Sequence, residues 1–122
     1  MKKYEYTKTF LDHYKGNEPI FRFEKGIGYR ERIFTSTDNV GETFEFDVFF
    51  EKIGKGGKYN WQATHASTGL LLLYGRTYTE CADDVVAKAF SIYKLLTDPK
   101  RKAVYDKLRD LINYVPKDTI EK

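Results

Sequence analysis

The chain has 122 residues, of which 41% are hydrophobic and 32% charged, a balance typical of one folded domain over residues 1–122 and not of a disordered chain. The formal net charge of +3, from 21 basic and 18 acidic residues, falls well short of a strongly basic nucleic-acid-binding domain. The single cysteine, Cys81, excludes a disulfide framework.

The N-terminal segment carries two competing patterns. Tyr4 and Tyr6 alternate as in a strand, whereas Phe10, Leu11 and Tyr14 recur at helical spacing. We predict a short helix over residues 7–14. This helix ends before a cluster of residues that favour a turn, Gly16-Asn17-Glu18-Pro19.

Alternation of apolar and polar residues predicts five strands, over residues 20–25, 29–35, 43–53, 58–66 and 70–74. Gly26 and Gly28 predict a tight connection between the first two. The third has phenylalanine and valine on one face and acidic residues on the other, so one face of the sheet is expected to meet solvent. Strands that follow one another with short turns predict an antiparallel meander.

At Thr77 the hydrophobic period changes to that of a helix. Thr77 and Glu80 have the spacing of a capping box, in which each side chain bonds the other's backbone amide. A helix is therefore predicted from Thr77 to about Leu96. It carries Cys81 on its apolar stripe.

Asp98 and Pro99 have the order of an N-cap followed by a first-turn proline, and they predict a second helix that ends near Tyr114. Residues 117–122 are expected to form a frayed tail. The predicted fold class is α+β, an antiparallel sheet of about five strands packed by two C-terminal helices, with the short helix at the N-terminus.

The glycine-rich stretch at residues 53–58 resembles the Gly-x-x-Gly loop of KH domains, which clamps a nucleic-acid backbone between two helices. Gly54 and Gly57 would be the clamp glycines, with Lys55 between them. The residues on both sides alternate with the period of strands, which favours a hairpin turn here. Lys55 and Lys58 would then stand at a hairpin tip and could approach a phosphate.

The stretch from Tyr93 to Asp106 is similar to the closing helices of J-domain co-chaperones, which carry a comparable Leu-x-Asp-Pro-Lys-Arg run followed by Tyr-Asp. The His-Pro-Asp tripeptide of that family is missing from this sequence. Helix capping by Asp98 and Pro99 accounts for the match, so co-chaperone function is not expected.

Two groups of basic residues suggest a first hypothesis, non-specific binding of nucleic acid or a nucleoprotein. The cations would be Lys55 and Lys58 at the hairpin tip, and Lys100, Arg101, Lys102, Lys107 and Arg109 in the last helix. Cations in the first turn of a helix oppose its dipole, so helix stability does not explain Lys100, Arg101 and Lys102. The alternative for this helix is a solvated face without a partner.

Aromatic residues make up 16% of the chain and suggest a second hypothesis, docking on another protein. Phe49 interrupts the polar side of its strand, and Tyr59 or Trp61 could stand beside it to form an exposed patch of the kind found at binding hot spots. The chain would then be an inhibitor or adaptor, as small accessory proteins of phages and mobile elements are. The alternative is that the N-terminal segment covers this patch.

Catalytic chemistry has little support in the sequence. His13 and His65 lie far apart in sequence without a triad pattern, and Cys81 is expected to be buried. The acidic residues Asp83 and Asp84 suit the first turns of a helix and point in different directions. We therefore expect a protein that is not an enzyme and has no cofactor or metal.

The sequence also bears on localisation. The longest apolar run, Leu70 to Tyr74, is too short to cross a bilayer, and no apolar signal core follows Met1-Lys2-Lys3. We expect a cytoplasmic protein without membrane contact. Homo-oligomer formation through a sheet edge or the terminal helices is left open.

Overall fold

The computed structural model describes residues 2–54 and 56–116. Its strands are β1 Lys3–Lys15, β2 Glu18–Ser36, β3 Thr43–Lys52, β4 Trp61–His65 and β5 Leu71–Gly75. Its helices are α1 Tyr78–Ala87, α2 Ala89–Leu96 and α3 Lys102–Ile112, with a 3-10 turn at Pro99–Arg101. The five strands form one antiparallel sheet in the order β1-β2-β3-β4-β5, which confirms the predicted meander. The predicted tail at 117–122 lies outside the described residues.

The predicted N-terminal helix is wrong, because the whole segment is strand β1, paired with β2. The helical spacing arises from a register shift between Leu11 and His13. A β-bulge of this kind inserts one residue, and the residues on its two sides then keep to one face at a spacing of three. Leu11 and Tyr14 therefore point to the same side of a strand, as they would on a helix.

The tight connection predicted at Gly26 and Gly28 is also wrong, since both glycines lie inside the single long strand β2. A side chain does not fit at either position, because the Tyr6 ring of β1 lies over both glycines. A Cβ on Gly26 would lie 2.9 Å from Tyr6 Cε1, and one on Gly28 would lie 2.6 Å from the Phe50 carbonyl oxygen. The glycines thus allow a side chain of β1 to reach β3 across the strand between them.

The sheet curls strongly enough for its first strand to touch the far end of the meander. In a flat sheet, β1 and β4 would be about 14 Å apart at the usual strand spacing. The Thr9 amide nevertheless donates to the Gly69 carbonyl in the β4–β5 turn, with an N–O distance of 2.8 Å. The Thr9 hydroxyl also donates to the Thr68 carbonyl at 2.7 Å.

The helix predicted from Thr77 to Leu96 is two helices, which join at Lys88 (φ −101°, ψ 10°). The chain has no glycine or proline at this point, so no local signal marks the break. The predicted start is confirmed, since the Thr77 hydroxyl accepts from the Glu80 amide at 3.1 Å.

The second predicted helix boundary is confirmed as well. Asp98 caps the 3-10 turn by accepting from the Lys100 amide at 3.0 Å, and Pro99 occupies its first position. The helix α3 that follows ends at Ile112, earlier than predicted, because Asn113 adopts the left-handed conformation (φ 50°). Asparagine tolerates that conformation better than most other residues.

The hydrophobic core lies between one face of the sheet and the helices. Val48, Phe50 and Ala63 of the sheet are fully buried in it, together with residues of α1 and α2. From α3 only Tyr105 and Leu108 are buried, so this helix covers the sheet less than the predicted packing implied. Within the described residues, no helix is long and apolar enough to cross a membrane.

Candidate functional site

The glycine-rich stretch connects two strands, as the hairpin prediction required. β3 ends at Lys52 and β4 begins at Trp61, and Gly57 has the positive φ (96°) that suits a turn glycine. No helix flanks this loop, so the KH-like context is missing. Lys58 is exposed, with its ammonium 5.3 Å from the centre of the Tyr59 ring. The predicted site residue Lys55 lies outside the described residues.

The basic residues of the last helix are largely neutralised by carboxylates. Arg101 lies 3.4 Å from Asp98, Lys107 lies 3.1 Å from Glu18, and Asp106 pairs with both Lys102 and Arg109. The pKa of Asp106 is lowered, first by its hydrogen bond from Lys102. Of the five predicted cations here, Lys100 alone makes no ion pair with another described residue. The free positive charge for a polyanion is therefore small.

The two basic groups also lie apart. The loop with Lys58 precedes β4, whereas Arg109 lies close enough to His65, the last residue of β4, for its charge to lower the His65 pKa. A five-residue strand spans about 16 Å. The hairpin tip and α3 therefore stand at opposite ends of β4 and form no continuous basic surface.

The three predicted aromatic residues do not form a single patch. Phe49 pairs with Thr64 and Lys52 pairs with Trp61, and the alternation of strand side chains puts Phe49 and Trp61 on opposite faces. Trp61 contacts Tyr78 on the helix side, at a ring-centre distance of 5.4 Å. Tyr59, 57% exposed, stands at the hairpin tip.

The premise that Phe49 is exposed is wrong, since only 2% of it is accessible. Tyr6 stacks on it, with ring centres 4.7 Å apart and planes 9° apart, and Tyr114 meets it edge-on at 5.9 Å. The N-terminal segment does cover Phe49, through Tyr6, as the alternative in the sequence analysis proposed, but it provides only half of the cover. The other half comes from the segment after α3.

A buried carboxylate fixes that C-terminal segment to the sheet. Asp47 accepts hydrogen bonds from Arg32 Nε at 2.9 Å and from the Tyr114 hydroxyl at 2.6 Å. Burial acts to raise the pKa of Asp47, but these hydrogen bonds and the charges of Arg32 and Arg30 outweigh it and lower the pKa. Burial and the bond to Asp47 raise the pKa of Tyr114 to about 12.

The candidate catalytic residues are in surroundings that do not activate them. Burial lowers the pKa of His65 to about 4, and its Nδ1 is 2.8 Å from the Thr68 hydroxyl. Burial also raises the pKa of Cys81 to about 11, which keeps the thiol protonated near neutral pH. His13 is exposed beside Asp12. Among the described residues, no group of His, Cys, Asp and Glu is arranged to hold a metal ion.

The most distinctive open feature is a groove that the sequence reasoning missed. It has a volume of about 360 Å³. Its lining is almost entirely apolar, and the two charged side chains that the described residues contribute are both cations. The lining residues are Leu11, Tyr14, Pro19, Phe21, Leu70, Leu71, Leu72, Leu95, Leu96, Lys100, Arg101, Val104, Tyr105 and Leu108. We call this the β1–β5 groove, because residues of both edge strands line it above α2 and α3.

Part of this groove carried a signal in the sequence. The apolar run at Leu70–Leu73 was visible as a strand, but its position at an open edge depends on the curl of the sheet. Leu11 and Tyr14 form an apolar pair in the sequence, but their spacing predicts a helix. Comparison with protein-family models, with curated proteins and with solved structures finds no match.

Proposed function

We propose that this chain is a non-catalytic binding protein, an inhibitor or adaptor that docks on another protein through the β1–β5 groove. The observation that supports this most is the groove itself, where Leu11 is 52% and Leu71 44% exposed beside other apolar residues. Clustered apolar side chains left open to water are typical of a surface that a partner covers.

The structure gives less support to nucleic-acid binding. Such binding would draw its affinity from cations that are free to pair with phosphates. Four of the five cations of the last helix already pair with carboxylates, and the fifth, Lys100, borders the groove. We therefore favour protein binding over nucleic-acid binding, and we place the docking surface at the groove instead of at Phe49, Tyr59 and Trp61.

An affinity pull-down from the source cell with three variants tests this function. Leu71→Asp puts a charge into the groove, Val86→Asp puts the same charge on an exposed apolar residue of α1 outside it, and Lys58→Glu reverses the charge at the hairpin tip. We expect a protein partner that survives nuclease treatment, is lost with Leu71→Asp and is kept with the other two variants.

The opposite pattern would overturn the proposal. A partner that disappears after nuclease treatment and with Lys58→Glu, yet stays with Leu71→Asp, would identify nucleic-acid binding instead. Melting curves of the three variants check that each one folds, since all three substitutions are at exposed positions.

A further inference from the structure

The edge strand β5 indicates how a partner would occupy the groove. We propose that an extended segment of the partner protein adds to β5 as a sixth strand, with alternate apolar side chains in the β1–β5 groove and an acidic residue beside Lys100. This inference rests on the proposed function and adds the conformation and the charge of the partner segment.

The main chain of β5 carries the first part of the argument. β5 pairs with β4 on one side, and it is the last strand of the sheet as the described residues form it. The outward N–H and C=O groups of an edge strand are ready to pair with another extended chain. An α-helix in the groove would leave those groups without partners, because it satisfies its own backbone.

The sequence of β5 carries the second part. Natural edge strands commonly avoid unwanted pairing through charged side chains, proline or bulges. Residues 70–75 are four leucines, a tyrosine and a glycine, with neither charge nor proline. Both edge strands have a register shift, β1 after Leu11 and β5 between Leu71 and Leu73, but β1 also carries charged residues such as Lys8 and Asp12. β5 therefore lacks the charged side chains that protect β1.

The gap between the two edge strands gives the segment its place. β1 meets the β4–β5 turn where Thr9 bonds Gly69, and beyond this point Leu11 and Tyr14 of β1 line the same groove as Leu71. The side chains of a strand point to its two faces in alternation. One half of the added strand's side chains would thus reach the apolar lining while the other half faces water.

The charge of the groove lining indicates which charge the partner segment should carry. Lys100 and Arg101 are the charged residues that the described chain places in the lining, and Arg101 already pairs with Asp98 at 3.4 Å. Lys100 makes no ion pair with another described residue. A carboxylate on the partner segment would complement it, whereas a cation there would be repelled.

Selection from a displayed library of random nonapeptides against the full chain provides a defined probe. We expect enriched peptides with apolar residues at alternate positions and an acidic residue near one end. Enrichment of apolar residues at helical spacing, or no enrichment at all, would overturn strand addition.

N-methylation of single amides in an enriched peptide then tests the main-chain bonds. Methylation removes one donor, so the affinity should fall at every second residue and stay nearly unchanged at the residues between. Equal effects at all positions would contradict pairing with β5.

A charge exchange tests the acidic residue. Lys100→Glu should lower the affinity for the acidic peptide by about three- to tenfold. A peptide with lysine in place of its acidic residue should recover that loss in the variant. Lys88→Glu is the matched control, because it changes the net charge equally at an exposed position outside the groove lining. Equal weakening by both variants would refute a local role of Lys100.

The outcomes separate this inference from the proposed function. If a cellular partner depends on Leu71 but the peptide series shows no alternation, strand addition fails and groove docking stands. If Leu71→Asp leaves the partner bound, the proposed function fails. A stable dimer of the wild-type chain that Leu71→Asp dissociates would replace the partner segment with a second copy of this chain, and would overturn the inference.

Discussion

The Phe49 side of the sheet and the β1–β5 groove are both rich in apolar side chains, but the chain covers only the first of them. Tyr6 stacks on Phe49, Tyr114 closes it from the other side, and Asp47 holds the Tyr114 hydroxyl. In the groove, Leu11 and Leu71 remain about half exposed. The same residue types therefore support folding in one region and remain available for a partner in the other.

This difference follows from where the chain's ends and bends lie. The glycines of β2 let the Tyr6 side chain of β1 reach Phe49. The left-handed conformation of Asn113 turns the chain after α3 toward the same face. In the described residues no segment is left to lie across β5. A substitution should thus affect stability in the covered region and binding in the open one, and four predictions test this division.

The largest expected effect is on the covered side. Phe49→Ala should lower the free energy of unfolding by about 3–5 kcal/mol, because it removes a buried ring and leaves a cavity beneath Tyr6. Urea denaturation measures this loss. Phe34→Ala is the control, since Phe34 is 60% exposed and its truncation should change stability by less than about 0.5 kcal/mol. Similar losses in both variants would contradict the covered state of Phe49.

The boundary between the two regions should be sensitive to acid. His65 contacts Thr68, whose carbonyl holds β1 through Thr9, and burial lowers the pKa of His65 from 6.5 to about 4. Between pH 6.5 and about pH 4, His65 is protonated in the unfolded chain but stays neutral in the folded chain. The free energy of unfolding should therefore decrease by about 3 kcal/mol as the pH falls through this window.

Denaturation curves from pH 7 to pH 4 check this dependence. His65→Gln should remove most of the slope, whereas His13→Gln, at an exposed position, should keep it. A slope that persists without His65 would show that other groups control the acid response.

A smaller effect is expected where the C-terminal segment is held. Tyr114→Phe keeps the ring against Phe49 but removes the hydrogen bond to the Asp47 carboxylate. A hydrogen bond to a charged group contributes about 1.5–3 kcal/mol, so the variant should lose that much in thermal or urea unfolding. Tyr59→Phe, at the exposed tip, is the matched control. No loss in Tyr114→Phe would mean that the segment is held by packing alone.

The smallest stability effect is expected in the groove. Leu71→Asp changes a half-exposed side chain of an edge strand, and its free energy of unfolding should fall by only about 1 kcal/mol. The same variant should lose the binding partner. Calorimetry beside the pull-down gives both values, and strong destabilisation of Leu71→Asp would show that the groove belongs to the core.

Much of the fold was predictable because its signals are local. The alternation in β3, the Thr77 cap and the Asp98-Pro99 start each depend on neighbours in sequence, and each is confirmed. The number of strands was also right, but for the wrong reason. The bulge in β1 makes its apolar spacing resemble that of a helix, and the glycines that predict a break in β2 instead make room for the Tyr6 side chain.

The candidate site was not predictable in the same way. Whether Phe49 is covered depends on Tyr6 and Tyr114, which lie far from it in sequence and close to it in space. The edge position of β5 likewise depends on the order and curl of the sheet. Most ion pairs of the last helix are local, three or four residues apart, and follow from the sequence spacing, whereas the pair of Lys107 with Glu18 is a long-range contact.

Amide hydrogen exchange of the free protein, followed residue by residue by NMR, tests the division between the two regions most directly. The covered region should exchange slowly, with strong protection for the amides of β3 around Phe49. Along the regular part of β5, residues 73–75, protected amides that bond β4 should alternate with rapidly exchanging amides at the open edge, up to the register shift at Leu72. Uniform protection along β5, as strong as that of β3, would mean that its edge is already occupied, and would contradict the account.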